Sequence, residues 1–185
     1  VTPGAWFSSL MDRFLPAFRR PLNVQRQVMA WFEPIDPAPF APEKFPVFLL
    51  ASEYGIHYGF PPHNVAPYKG FLKIAKHDHE KPHLTPDDYD RSIGAEDEAA
   101  IRIALEKYLP AANGRLAAAK TCLYTTTADK HFLIDQVPGC PQVVFASACS
   151  GHGFKFAPVI GEMLADIVMT NETIPQFGLA RLLAG

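Results

Sequence analysis

The sequence lacks the features that define several large classes of protein. Its 17 basic residues are balanced by 19 acidic ones, so it has no positive excess of the kind that nucleic-acid binding needs. No apolar run reaches the roughly 20 residues that span a bilayer, and no signal peptide is recognisable. We therefore expect a cytoplasmic protein that has neither nucleic acid nor a membrane as a partner.

Cysteine is scarce as well. The chain has three cysteines, Cys122, Cys140 and Cys149, an odd number with a spacing that fits neither a zinc site nor a disulfide framework. Each is interpreted first as a small buried hydrophobe in a reducing compartment. The histidines of KHDHEKPH, residues 76–83, could in principle bind zinc, but Pro82 and the mixed charges favour an exposed polar loop. No metal site is expected.

Dinucleotide-binding folds carry the motif G-x-G-x-x-G between a strand and a helix, and this motif is also missing. The chain has a single G-x-G, from Gly151 to Gly153, and Phe156 stands where the third glycine would be. The sequence therefore offers no standard cradle for the pyrophosphate of a dinucleotide.

What the sequence does have is 48% hydrophobic residues, enough for a core. Alternation and apolar runs predict strands over 24–32, 48–51, 54–60, 71–76, 122–126, 131–134 and 142–146. The strands 122–126 and 131–134 are expected to pair around Ala128 and Asp129. Because the helices do not alternate regularly with these strands, the pattern predicts an α+β fold with a mixed, largely antiparallel sheet.

Three segments show helical signals. A short helix is predicted within residues 4–14. The segment 96–109 places Ile101, Ala104, Leu105, Tyr108 and Leu109 on one face, after an acidic first turn. The segment 153–169 has a second apolar stripe, formed by Ile160, Met163, Leu164, Ile167 and Val168.

The most distinctive local feature is SGHGFK, residues 150–155, between a predicted strand and the last strong helix. Two glycines allow a tight turn, the helix N-terminus presents unpaired N–H groups, and Lys155 adds a positive charge. Such a turn suits a carboxylate or another delocalised anion. The residues alone slightly favour an ordinary glycine-rich turn with a solvated lysine, because glycines are common at helix starts.

A resemblance extends along nearly the whole chain. The segments YGFP (58–61), LKIAKH (72–77), EKYLPAANG (106–114), CLYTTTADKHFLID (122–135) and SGHGFKF (150–156) follow one another in the order found in one family. That family is the FAD-dependent amine oxidoreductases of the monomeric sarcosine oxidase and N-methyltryptophan oxidase type. The chain resembles the C-terminal half of the family's sequence.

The resemblance implies how FAD would be held. Cys122 matches the cysteine that forms a thioether to the 8α carbon of the flavin. The turn residues that match the flavin-facing loop are Ser150, Gly151, His152, Gly153, Phe154 and Lys155. Their amides and the following helix would stabilise negative charge on the reduced ring.

The resemblance also implies the roles of catalytic and substrate-binding residues. Lys73 matches the lysine that promotes reduction of O2, and His77 matches a histidine on the substrate side of the flavin. Lys155 matches the lysine that pairs with the substrate carboxylate, while Tyr58 and Tyr124 match aromatic residues of the substrate cavity. Without the resemblance, Lys73 would be interpreted as an ordinary surface lysine, and Tyr58 and Tyr124 as half-buried strand tyrosines.

Residues 1–150 are accordingly expected to form a substrate-binding and catalytic region, and residues 151–185 the flavin-facing loop, the C-terminal helix that packs on an FAD-binding domain, and a tail. The N-terminal FAD-binding half is expected to be absent, since the chain begins with Val1 rather than Met and has no nucleotide motif. Alone, the chain should neither hold FAD stably nor be active.

The implied reaction is oxidative demethylation of a sarcosine-like N-methyl amino acid by O2, which yields an aldehyde and hydrogen peroxide. The loop from Tyr58 to Lys73 is about four residues longer than in the family pattern, and Ala75, Lys76 and Cys149 also depart from it. These differences leave substrate identity open. A pipecolate or fructosyl amino acid oxidase, or a non-enzymatic binding module without flavin, remain alternatives.

Overall fold

The structure is a computed structural model that describes residues 1–14, 22–77 and 84–183. Its strands are β1 (Leu22–Phe32), β2 (Phe48–Ser52), β3 (Gly55–Phe60), β4 (Leu72–His77), β5 (Leu116–Thr127), β6 (Leu133–Val137) and β7 (Cys140–Ser147). Its α-helices are α1 (Phe7–Met11), α2 (Ala95–Tyr108), α3 (Ala157–Thr170) and α4 (Ala180–Leu183). None of the helices in these described ranges is both long enough and apolar enough to cross a bilayer.

The strands form two sheets. The larger has the order β2-β3-β4-β1-β5, and its pairs β2–β3, β3–β4 and β1–β4 are antiparallel. The smaller is the antiparallel hairpin β6–β7. The predicted α+β fold with a largely antiparallel sheet is thus confirmed.

The chain divides into two compact units. The turn unit, which contains the SGHGFK turn, consists of the described parts of Val1–Gln25, Lys81–Tyr89 and Leu123–Gly185. The sheet unit consists of the described parts of Arg26–Glu80 and Asp90–Cys122.

In the sheet unit, helix α2 covers one face of the strands. The side chains that form this core are Val28, Ala30, Phe32, Leu72 and Ile74 from β1 and β4, and Ile101, Ala104 and Leu105 from α2. Successive residues of a strand point to opposite faces. The residues between these core positions, such as Trp31 and Lys73, therefore lie on the other face of the sheet.

A buried ion pair fastens the start of α2 to β1. Both oxygens of Asp97 accept hydrogen bonds from Arg26, at 2.8 and 2.9 Å, and the two side chains are each only 8% exposed. One of these oxygens also accepts the backbone N–H of Gly94 at 3.0 Å, which caps the helix. The acidic first turn of the predicted helix thus contains a specific tertiary contact.

The turn unit has two apolar clusters. One gathers Phe7 and Met11 of α1 with Leu22, Leu133, Val137, Phe145 and Leu179, and the rings of Phe7 and Phe145 meet edge to face at 5.3 Å. The other packs Ile160 and Ile167 of α3 against Ile134 and Ala146 of the hairpin. Val168, predicted to be buried, is 68% exposed, because the two-stranded hairpin covers only a narrow stripe of the helix.

The predicted pairing of strands 122–126 and 131–134 is wrong. The strand β6 pairs with β7, and Val137 lies opposite Cys140 across a two-residue connection. Pro138 and Gly139 form this connection, and Gly139 has φ +76, a conformation that favours glycine. The short link joins β6 to β7, whereas Asp129, in the turn after β5, pairs with Arg181 at 2.7 Å.

Replacing Asp97 by Asn should destabilise the protein by about 3–5 kcal/mol, because the guanidinium of Arg26 would remain buried without its counter-charge. The measurement is the midpoint of urea unfolding at an unchanged slope. Glu96→Gln, at an exposed neighbouring position of the same turn, is the matched control and should change the midpoint little. Equal midpoints for both variants would refute the importance of the pair.

Candidate functional site

The SGHGFK turn joins β7 to α3 through an unusual backbone path. Ser150 and Gly151 both have positive φ, +43 and +78. A Cβ on Gly153 would lie 1.6 Å from the carbonyl oxygen of Ala148, a distance that no side chain tolerates. Glycine at position 153 is therefore required for the turn to close.

Part of the hydrogen-bonding capacity of the turn is used within the unit. The amides of His152 and Gly153 both donate to the carbonyl of Cys149 at 3.0 Å. The amide of Ser150 donates to the carbonyl of Thr125 at 2.9 Å. Among the described residues, we find no backbone acceptor for the amides of Gly151, Phe154 and Lys155, so these three could meet a ligand.

The turn borders an open cleft of about 790 Å³ in the turn unit. Its lining is mainly apolar and includes Leu123, Ala146, Ala148, Ile160 and Leu164. Six residues predicted from the sequence to bind cofactor or substrate also line it: Tyr124, Gly151, His152, Gly153, Phe154 and Lys155. The structure thus brings six of the seven predicted residues of this unit together.

Ser150 has a different place. It is buried, and its amide donates to the carbonyl of Thr125. Its hydroxyl is 3.5 Å from the carbonyl of His131, at the limit of a hydrogen bond. It does not line the cleft. These contacts indicate that Ser150 stabilises the turn by binding it to Thr125 and His131.

His152 and Lys155 give the cleft its polar groups. A ring nitrogen of His152, Nε2, lies 3.1 Å from the carbonyl of Lys130, and its ring packs on that of Phe132 with centroids 5.0 Å apart. Lys155 is exposed, with its Nζ 5.3 Å from the ring centroid of Phe156. In the part of the chain that the structure describes, no carboxylate pairs with Lys155, so its charge is available to an anionic ligand.

The sheet unit holds the other predicted residues. Tyr58, Lys73 and His77 lie on the face of the sheet opposite α2, since Tyr58 pairs with Ala75 and the side chains of Lys73, Ala75 and His77 share one face. The rings of Tyr58 and His77 approach edge to face at 6.5 Å. Sequence reasoning therefore identified residues that share a surface.

Cys122, in the middle of β5, is half-buried, and its thiol is not part of a disulfide. Burial raises the pKa of the Cys122 thiol, and the ammonium of Lys73 partly opposes this rise. The neutral thiol is therefore favoured, while the nearby positive charge supports the thiolate that a nucleophilic cysteine needs.

The sequence reasoning missed the aromatic surroundings of Lys73. The Nζ atom of Lys73 lies 5.6 Å from the ring centroid of Trp31 and 5.1 Å from that of Phe60. Both residues are its cross-strand partners, Trp31 on β1 and Phe60 on β3. The strand register would have identified both rings as neighbours of Lys73. Alternation of apolar and polar residues does not give that register.

No group of three or more potential metal ligands occurs in residues 1–14, 22–77 and 84–183. Of the histidines in KHDHEKPH, His77 lies at the end of β4, while His79 and His83 are outside the described residues.

Comparison with known proteins identifies the family. Residues 1–167 match the family described as FAD dependent oxidoreductase. The chain is 41% identical over 176 residues to a monomeric sarcosine oxidase of Bacillus sp. (strain NS-129), covering 94% of the chain and 43% of that protein. It is 33% identical over 181 residues to the N-methyl-L-tryptophan oxidase of Salmonella typhi, covering 97% of the chain and 45% of that protein. The chain thus spans less than half the length of these relatives.

Solved structures show the same fold. The fructosyl amine:oxygen oxidoreductase (Amadoriase I) of Aspergillus fumigatus is 26% identical with a TM-score of 0.69, over 90% of this chain and 38% of that one. NikD, an amino acid oxidase of nikkomycin biosynthesis, is 17% identical with a TM-score of 0.67, over 88% of this chain and 43% of that one. The match over most of the chain shows that the protein belongs to the FAD-dependent oxidoreductase family, and its sequence is similar to those of sarcosine and N-methyltryptophan oxidases.

Proposed function

We propose that this chain is the substrate-facing part of a flavoenzyme that oxidises an N-methyl amino acid of the sarcosine type. The products are an imine, which hydrolyses to an aldehyde and the demethylated amine, and hydrogen peroxide formed from O2. The observation that carries the proposal is the cleft of the turn unit. It is an apolar recess lined by Tyr124 and by Gly151, Phe154 and Lys155, whose amides have no backbone acceptor among the described residues.

The residues of the chain fit FAD. The amides of Gly151, Phe154 and Lys155 would donate to an electron-rich ring edge, and the apolar lining suits a flat aromatic system. Cys122 would carry a thioether to the 8α carbon. When bound, FAD would supply the two-electron acceptor for the C–H bond next to the substrate nitrogen.

The FAD-binding half lies, in this proposal, on residues beyond the chain. The sequence has no G-x-G-x-x-G motif to hold the pyrophosphate. Helix α3 also has an exposed apolar side, where Val168 is 68% and Met169 is 75% exposed. A contiguous apolar surface suits a contact with another element, so we assign this side of α3 to the FAD-binding domain.

The chain's own residues would bind and orient the substrate. An ammonium without a carboxylate partner, at the rim of an apolar cleft, suits the carboxylate of an amino acid, and Lys155 supplies it. Tyr124 would form one wall of this pocket. Tyr58 and His77 keep the substrate-side role that the resemblance gives them. Lys73 would stabilise the negative charge that O2 acquires during reduction.

A fructosyl amino acid is the second candidate substrate. The neighbouring Amadoriase I structure, with a TM-score of 0.69, is named as a fructosyl amine:oxygen oxidoreductase. Peroxide release from a panel of sarcosine, N-methyltryptophan, pipecolate and fructosyl glycine decides between these substrate classes.

Replacing Cys122 by Ser should abolish covalent flavin attachment in the full-length enzyme, because a hydroxyl at this position cannot form the thioether. The measurement is the yellow colour that stays with the protein after denaturation and gel filtration. Cys140→Ser is the matched control and should keep the colour, since Cys140 is a half-buried residue of the β6–β7 hairpin. Colour retained by the Cys122 variant, or absent from the native enzyme, would rule out the thioether.

Replacing Lys155 by Met should raise the KM for sarcosine by about 10- to 100-fold, the loss expected for a charge-assisted hydrogen bond. Lys155→Arg should recover part of the affinity, because it keeps the charge. Lys44→Met, at an exposed position of the sheet unit, serves as the control and should leave KM unchanged. An unaltered KM in the Lys155→Met variant would remove Lys155 from the substrate site.

A further inference from the structure

The ammonium of Lys73 lies between two aromatic rings of neighbouring strands. Its Nζ is 5.6 Å from the Trp31 ring centroid and 5.1 Å from the Phe60 ring centroid. Trp31 is only 6% exposed, whereas Phe60 is 39% exposed. The ammonium is thus supported by a fixed ring on one side and a partly solvated ring on the other.

No carboxylate pairs with Lys73 among the described residues. In the same unit, the buried guanidinium of Arg26 is neutralised by Asp97 at 2.8 Å. Aromatic faces attract a cation through their quadrupole but carry no net charge. Trp31 and Phe60 therefore hold the Lys73 side chain in place without neutralising its ammonium.

Trp31 is itself held in position by Tyr68. The two rings are stacked, with centroids 4.0 Å apart and planes 19° apart. A second cation contacts the Tyr68 ring: the Nζ of Lys120 lies 5.6 Å from its centroid. Tyr68 belongs to the long connection between β3 and β4. That connection thus braces the ring against which Lys73 rests.

We propose that Trp31 and Phe60 are positioning residues for Lys73: they hold its ammonium, which has no counter-ion among the described residues, at the sheet face where O2 would acquire negative charge. The inference rests on the oxygen-activating role given to Lys73 in the proposed function. It goes beyond that role in naming the groups that position the charge and explaining why the charge is uncompensated. Tyr68 supports the same arrangement through Trp31.

The arrangement can be tested spectroscopically in the full-length, flavin-loaded enzyme labelled with ¹³C at the lysine ε carbons. The Lys73 signal, assigned by its loss in Lys73→Arg, should be shifted upfield by the ring currents of Trp31 and Phe60. Trp31→Leu and Phe60→Leu should each reduce this shift, and Trp31→Phe should retain part of it. A Lys73 signal at the position of solvated lysines would overturn the proposal.

The functional consequence is measured as the rate constant for reaction of the reduced enzyme with O2 in stopped flow. Trp31→Leu and Phe60→Leu should each lower it by about 3- to 30-fold, the range that a lost cation–π contact allows. The anaerobic rate of reduction by substrate should change much less. Trp31→Phe should restore most of the oxygen rate. Trp6→Leu, the control at the other tryptophan, which is 46% exposed in the turn unit, should change neither rate.

Lys73→Met distinguishes the oxygen-activating role of Lys73 from the positioning role of Trp31 and Phe60. If it slows the oxygen reaction while Trp31→Leu and Phe60→Leu do not, the positioning proposal is overturned and the role of Lys73 stands. If Lys73→Met leaves the oxygen rate unchanged, the role of Lys73 is refuted and the proposal falls with it. Should Trp31→Leu fail to fold, Trp31→Phe and the partly exposed Phe60→Leu decide the question.

Discussion

The candidate site in the turn unit depends on the contact between the backbone at Gly153 and the carbonyl of Ala148. A side chain at position 153 would lie 1.6 Å from that oxygen, so the turn can close only with glycine. Closure ties the amides of His152 and Gly153 to Cys149 and directs those of Gly151, Phe154 and Lys155 elsewhere. The helix that follows adds the positive end of its dipole to the same place.

Four of the cations of the chain form two contrasting pairs. Arg26 and Arg181 each bind a carboxylate, Asp97 at 2.8 Å and Asp129 at 2.7 Å, and they fasten parts of the fold. Lys73 and Lys155 pair with no carboxylate among the described residues, and their ammonium groups lie close to aromatic rings. The proposed chemistry gives each lysine an anion to meet, namely reduced oxygen and the substrate carboxylate.

Much of the fold was predictable from local pattern. The stripe of α2 appears in the sequence because every third or fourth residue is apolar, and Ile101, Ala104 and Leu105 are indeed buried. The pairing of β6 was not predicted correctly, because the signal of the Pro138–Gly139 connection was overlooked. The exposure of Val168 follows from the width of the hairpin beneath it, which periodicity does not encode.

The candidate site was likewise predictable only in part. The resemblance identified the turn residues, and six of the predicted residues line one cleft. Local pattern could not show that Ser150 faces away from the cleft or that two amides of the turn are already used. The ring of Tyr68 stacks on Trp31 from a proline-rich loop, a contact that strand patterns do not indicate. Such contacts arise from tertiary packing and strand register.

The central claim is that the SGHGFK turn meets the flavin ring and the substrate carboxylate. Its most direct test is a crystal structure of the full-length enzyme with FAD and a carboxylate inhibitor. We expect the amides of Gly151, Phe154 and Lys155 to face the carbonyl edge of the flavin, and the Lys155 ammonium to contact the inhibitor. A flavin ring bound away from this turn, or an inhibitor carboxylate that another group holds, would contradict the account.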